Sequence, residues 1–218
     1  MAEVKGPERG YRSPLRAQQA AATRLAVITA ATELFVTNGY GATTVDDIAR
    51  RAGVSKPTVF TAVGNKAALL SAVRDVAMAG DDLPVAVSDR PSAQQVVEEP
   101  DPARAVELLA GVMAGVNLRY AAINEVIRGA AAAGEPAARE LWETSEAQRL
   151  AGARHWTRTL AAKAPLRADE ATTVDLMWLL MAPDTCHRLV HARGWTPERY
   201  REWIADGLTA LLATASQR

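Results

Sequence analysis

The stretch from Phe35 to Lys66, FVTNGYGATTVDDIARRAGVSKPTVFTAVGNK, constrains this chain more than any other part of it. Its caps, glycines and apolar residues are spaced for two short helices joined by a tight turn, set behind a longer first helix. Leu25, Ile28, Leu34 and Phe35 recur at helical spacing between about Arg24 and Thr37 and predict one apolar stripe. Asn38-Gly39 supplies a left-handed C-terminal cap. Thr44 opens the second helix as its N-cap, and Asp47 three residues later makes a capping box with a shortened acid. Ile48 and Ala52 are expected to face inward, while Ala49 is small enough for a neighbouring helix to cross closely. Gly53 stands where a turn between helices needs a positive φ, which glycine takes at no steric cost. Val54 fills the corner and Ser55 caps the third helix. Pro57 falls in a first turn whose amides have no intrahelical partner. Val59 turns inward, which leaves Lys56, Pro57, Thr58, Phe60 and Thr61 on or near the exposed face.

This order of signals is a helix-turn-helix signature, an arrangement that offers its last helix to the DNA major groove. A plain helical hairpin inside a core is the alternative. It has no need of a short second helix, polar outward and flanked by Thr44 and Lys66. Those two place a hydroxyl and an ammonium where phosphates lie on either side of a groove.

The segment Gly39 to Leu70, GYGATTVDDIARRAGVSKPTVFTAVGNKAALL, resembles the N-terminal DNA-binding domain of TetR-type transcriptional regulators. The resemblance rests on Gly-x-x-x-Thr-Thr before the second helix, Asp-Ile-Ala within it, Ala-Gly-Val-Ser at the turn and Lys66 opening the fourth helix. It covers roughly residues 20 to 75; beyond them only length and helical texture agree. It implies an all-α homodimer with a DNA-binding head and a larger C-terminal domain that often holds an effector. Carried over position by position, it implies phosphate contacts from Thr44 and Lys66, with Lys56, Pro57, Thr58, Phe60 and Thr61 facing bases or adjacent backbone and Ser55 capping beside them.

Two positions depart from that pattern. The family often has Tyr at the place of Phe60, and His or Tyr at the place of Ala62, both facing phosphate. Neither residue here donates a hydrogen bond, so those contacts are lost, although Phe60 retains the option of packing on a thymine methyl. The third helix carries Lys56 but no Arg, Asn or Gln. Phosphate contacts and DNA shape are therefore expected to outweigh direct base readout.

Formal net charge is zero, which by itself argues against nucleic acid, yet the charge is unevenly spread. Residues 1 to 74 hold ten Lys/Arg against five Asp/Glu, leaving fifteen against twenty in the remainder. A basic head on an acidic body is the expected distribution for a DNA-binding protein. Both Phe residues lie in the head and all five Trp lie beyond residue 140. The expected division is a flexible basic arm over 1–20, a helix-turn-helix domain over 21–75 and an effector-binding and dimerisation domain over 76–218. The arm carries Arg9, Arg12 and Arg16, and reads either as a disordered tail or as a minor-groove arm. A lone Cys186 excludes an internal disulfide, no apolar leader opens the chain, and the apolar runs read as too short for a membrane span. The expected location is cytoplasmic.

Beyond the head, Asn65 caps a fourth helix that runs to Met78 with Leu69, Leu70, Val73 and Val76 on one face. Residues 80 to 102 contain Pro84, Pro91, Pro100 and Pro102 and read as irregular. They form either an extended stretch around Val85 and Val87 or a solvated acidic loop. Four helices are expected to follow: Pro102 to about Ala133, Pro136 to Ala162, Ala168 to about His191, and Thr196 to about Ala213. The fold class is therefore all-α, a three-helix DNA-binding domain joined to a larger helical one.

The resemblance implies a homodimer built through the last two helices, for which Leu176, Leu179, Leu180, Trp203, Ile204, Leu208, Leu211 and Leu212 are candidates; the same stripe also suits a monomer core. Met113, Asn117, Tyr120, Trp142, Trp156, Met177 and Met181 are candidates to line a pocket for a small apolar effector, with Asn117, Arg128 and His155 as polar partners, though such residues also simply fill cores. His187 and His191 share a helical face with Asp184 and Cys186 nearby, which leaves a metal-sensing or enzymatic role as a lesser alternative. No phosphate loop, dinucleotide glycine pattern or nucleophile elbow is present. The expectation is a non-enzymatic regulator with no cofactor and no metal, partnered by double-stranded DNA and a small effector. Regulation through protein contacts alone is the further alternative.

Overall fold

The computed structural model describes residues 12–213, with the backbone alone for 12–14. Helices and turns make up the described residues, with one isolated antiparallel bridge between Leu166 and Leu212. The chain divides into two compact units, the first ending at Val73 and the second beginning at Arg74.

The first unit contains α1 (Arg12–Asn38), α2 (Val45–Ala52), α3 (Lys56–Ala62) and the start of α4 (Lys66–Ala79). Its core is Val27, Ile28, Ala31, Phe35, Ile48, Val59 and Leu69, all essentially inaccessible to solvent. Phe35 and Tyr40 pack ring against ring at 5.4 Å. Two sequence expectations change here. Helix α1 begins at Arg12, so the stretch 12–20 is helical and not part of a flexible arm, in keeping with its run of Ala, Gln, Arg and Leu. Arg9, with the rest of residues 1–11, lies outside the described residues. Leu25 is 46% exposed, and the buried stripe of α1 is carried by Val27, Ile28, Ala31 and Phe35 instead.

The second unit is built around α6 (Pro102–Ala132), whose long apolar face packs against α7 (Pro136–Ala161) and α10 (Pro197–Ala210). Asp101 caps α6 by accepting from the Arg104 amide at 3.0 Å, and proline occupies its first turn. By length and composition α6, and Leu15–Asn38 within α1, are apolar enough to cross a membrane, contrary to the reading of short apolar runs. In α6 that apolarity goes into the core: Ala105, Leu109, Ala110, Met113, Ala121, Ile123 and Ile127 are buried along it. At about 25 cal/mol per Å² of apolar surface removed from water, the burial of these side chains stabilises the unit.

The stretch 80–102 is more regular than its prolines suggest. A short 3-10 turn (Val87–Asp89) leads into α5 (Pro91–Glu98), which buries Ala93 and Val96 against α6. Pro91 starts this helix rather than breaking it, because a first-turn residue needs no amide hydrogen. Lys163 closes the other end by donating to the carbonyls of Val97 at 2.9 Å and Glu99 at 2.6 Å. Asp81 receives two hydrogen bonds from Arg90, at 2.7 and 2.8 Å. Those bonds, with one from the Leu83 amide, hold its carboxyl down at about 2.

A further correction concerns the expected helix from Ala168 to His191. Helix α8 (Glu170–Leu180) ends before Ala182-Pro183, because Pro183 has no amide to continue the ladder. The chain resumes as α9 (Pro183–Cys186) and runs on through a π-helical stretch, His187–Ala192, stopped by Gly194 at φ +70°. Helix α10 passes close to α8, and a Cβ at Gly207 would lie 2.6 Å from Leu180 Cδ2.

Candidate nucleic-acid interface

The turn between α2 and α3 is built by the residues whose chemistry calls for it. Gly53 takes φ +68°, and its amide donates back to the carbonyl of Arg50 at 3.3 Å while the Val54 amide reaches Ala49 at 3.0 Å. Ser55 caps α3 by accepting from the Thr58 amide at 3.3 Å, and its hydroxyl lies 2.7 Å from that of Thr58. Val59 is the buried residue of α3, which leaves Lys56, Pro57, Phe60 and Thr61 exposed and Thr58 half-buried. Phe60 is 46% exposed, an unusual position for a large ring without something to pack on. Arg24 of α1 donates to the Ala62 carbonyl at 3.2 Å and so holds the far end of α3, which carries no basic residue in its own last turn.

Thr44 and Lys66 flank this helix in different electrostatic states. Thr44 forms the full capping box: its oxygen accepts from the Asp47 amide at 3.1 Å, and its own amide donates to the Asp47 carboxylate at 3.1 Å. The Thr44 hydroxyl also donates to Asp47, at 2.6 Å. These bonds from the Thr44 side chain and then its backbone lower the Asp47 pKa, so the acid stays charged at any ordinary pH. Lys56 is also engaged, with Asp46 at 2.8 Å. Lys66, by contrast, donates to the Gly41 carbonyl at 3.3 Å and sits 4.2 Å over the Tyr40 ring, both neutral partners. Its charge is uncompensated by these contacts.

The family model for bacterial regulatory proteins of the tetR family matches residues 27–73, the same unit that carries this turn and its flanking donors. The head is a TetR-family domain. The whole described chain has the fold of TetR-family regulators. A Mesorhizobium loti protein assigned to that family aligns at a TM-score of 0.64 with 18% identity, covering 88% of this chain and 96% of the other. NalD, the secondary repressor of the MexAB-OprM multidrug efflux pump in Pseudomonas aeruginosa, aligns at 0.62 with 19% identity over 91% and 99%. FadR, a fatty acid degradation regulator from Bacillus halodurans, aligns at 0.58 with 14% identity over 99% and 100%. No curated protein matches by sequence. At these identities the structural likeness is one of fold.

Within this TetR-type architecture the body candidates separate. Ile204, Leu208 and Leu211 are buried within the second unit itself, so they are core residues and not surface for a partner. Leu176 and Leu179 are 42% and 56% exposed on a helix that is apolar on its other faces too, and Leu180, Trp203 and Leu212 are half-buried. Met113, Trp156 and Met177 belong to the main hydrophobic cluster, with Met181 packed against its edge and Trp142 half-buried. Asn117 is buried and gives its amide to the Tyr200 hydroxyl at 2.9 Å, so that donor is already used. Arg128 pairs with Glu125, and His155 is exposed beside the Trp156 ring.

The Asp184, Cys186, His187 and His191 region does not converge. The two imidazoles lie 5.4 Å apart, and no group of three metal-type side chains occurs among the described residues. Cys186 is fully buried, and that burial pushes its thiol up to about 11. A thiolate is therefore scarce, and only a thiolate attacks. The expected result is that an aromatic disulfide reagent at pH 8 fails to label native protein and labels one thiol after denaturation. Rapid labelling of the native chain would show a reactive cysteine.

Proposed function

We propose that the chain is a transcriptional repressor that binds a near-palindromic operator as a homodimer and is released by a small, largely apolar effector. The observation that carries the DNA-binding part is the outward face of α3, with Ser55, Lys56, Pro57, Thr58, Phe60 and Thr61 flanked by the Thr44 hydroxyl and the Lys66 ammonium. Two heads set about one DNA turn apart would each take a half-site, since a single head has little area for specific binding. The exposed Leu176 and Leu179 on α8, beside the close α8–α10 approach at Gly207, support a dimer made through these helices. The body around Met113, Tyr120, Trp156 and Met177 would hold the effector, and EbrR, a multidrug binding protein complexed with imidazole, supports a ligand-responsive reading. Effector binding would favour a state whose heads no longer fit the operator, a population shift transmitted through α4. Cytoplasmic location accords with this work.

Selection of bound fragments from random duplex DNA tests the reading. Enrichment of a two-fold-related sequence is expected, with release by members of a small-molecule panel. Sedimentation is expected to show a dimer at micromolar concentration, and Leu179→Arg to shift it to monomer. Fragments lacking any half-site symmetry, or a monomer throughout, would sink the repressor-dimer mechanism.

A further inference from the structure

The C-terminal half of α4 is fastened to the second unit by polar contacts. Arg119 of α6 donates to the carbonyls of Ala77 at 3.2 Å and Met78 at 3.1 Å, closing the end of α4. Three residues earlier, Arg74 is 7% exposed, with one guanidinium nitrogen on Asp75 at 2.8 Å and another on Gln148 of α7. Its third nitrogen, Nε, is buried with no acceptor. Next to Arg119 on α6 stands Tyr120, 5% exposed, whose hydroxyl is also buried without a partner. Arg74 and Ser145 are near enough to influence that hydroxyl without completing a hydrogen bond to it, and the Ser145 proton is given to the Leu141 carbonyl at 2.7 Å.

Two buried donors thus lie in one place and share no acceptor. A buried donor left so is costly, an expense a fold seldom retains without use. Their chemistry specifies the missing group. Both donate, one carries charge, and burial raises the Tyr120 pKa so that it keeps its proton. A single anionic group with two oxygens matches a guanidinium N–H beside a phenol O–H. The one cation is already shared with Asp75, which suits a singly charged carboxylate better than a dianionic phosphate. Along the same face of α6, Met113, Ile123 and Ile127 are buried and apolar.

We propose that Arg74 and Tyr120 form the anion-binding end of the effector site and take the carboxylate of an amphiphilic organic acid. The proposal rests on the effector-responsive reading above and narrows it to organic acids. It places the ligand's charged end on a residue of α4 itself, so occupancy would act on that helix directly. Asp75 then competes with the ligand for the same guanidinium.

The test uses the full chain and its tryptophan fluorescence, which arises only in the second unit because all five Trp lie between positions 142 and 203. Octanoate and 4-phenylbutyrate are titrated at pH 7.5 against octanamide and 4-phenylbutyramide. The acids are expected to bind about tenfold or more tightly than their amides, and Tyr120→Phe to remove most of that preference. Asp75→Asn is expected to strengthen acid binding several-fold and leave amide binding unchanged, a gain that a merely structural role for Arg74 would not produce. Equal binding of acids and amides would overturn the anion site and leave the effector reading standing. Acid binding indifferent to both substitutions would also overturn the anion site. Binding by neither series would overturn the anion site and count against the effector reading as well.

Discussion

Replacing Lys66 with alanine is expected to weaken operator binding by about tenfold or more, the worth of one charge-assisted contact. The same change at Lys56 is expected to cost only a few-fold, though Lys56 lies on the proposed DNA-facing helix α3 itself. The difference follows from what each ammonium touches before DNA arrives. Lys56 is held by Asp46 at 2.8 Å, so a phosphate must displace a carboxylate to gain it. Lys66 faces a carbonyl and a ring, gives up little, and brings its full charge. A salt titration separates the two: losing a phosphate contact lowers the slope of log K against log salt by about 0.9, expected for Lys66→Ala and much less for Lys56→Ala. Asp46→Asn should move the other way and tighten binding, since it frees Lys56 and removes a negative charge near the DNA. Equal losses at the two lysines with unchanged slopes would show that neither meets phosphate. Thr44 is the less clean probe. Its alanine variant also breaks the capping box, which costs about 1 kcal/mol of helix stability on its own.

The head was legible in the sequence because its determinants are local. Gly39, Thr44, Gly53, Ser55 and Asn65 each impose a backbone conformation within three or four residues, and each is found doing so. The electrostatic state of the interface was not legible. Asp46 and Lys56 stand ten positions apart and meet only once the turn has folded. Arg24 reaches the end of α3 from 38 residues away, with no periodic signal to announce it.

In the body, pattern and position part company for the same reason. The prolines of 80–102 look alike as letters, yet Pro91 begins a helix whose burial depends on α6. Ile204 and Leu208 share a heptad-like stripe with residues that remain outside, and only the packing of α10 on α6 decides which side of the stripe is core. Asn117 illustrates the limit most sharply. A polar residue on an apolar face reads as a ligand contact, whereas its partner, Tyr200, stands 83 positions later.

That pair sets the largest stability effect expected in the second unit. Tyr200 is fully buried and its ring fills the space between α6 and the Trp203 ring, so Tyr200→Ala should cost about 3–5 kcal/mol of unfolding free energy. Tyr200→Phe keeps the ring and deletes only the oxygen that accepts from Asn117. The expected cost is about 1–3 kcal/mol, because the Asn117 amide is left buried without an acceptor. Removing both polar groups, as Asn117→Leu with Tyr200→Phe, should recover much of that loss, since the penalty belongs to the orphaned donor and not to the absent bond. Urea unfolding followed by tryptophan fluorescence reads all three variants on one scale. If the double variant recovers nothing and loses as much as Tyr200→Phe alone, the loss belongs to the absent bond and the pair is stabilising in its own right. If Tyr200→Phe alone is neutral, the amide has found water or another acceptor, and Asn117 becomes available to a ligand after all.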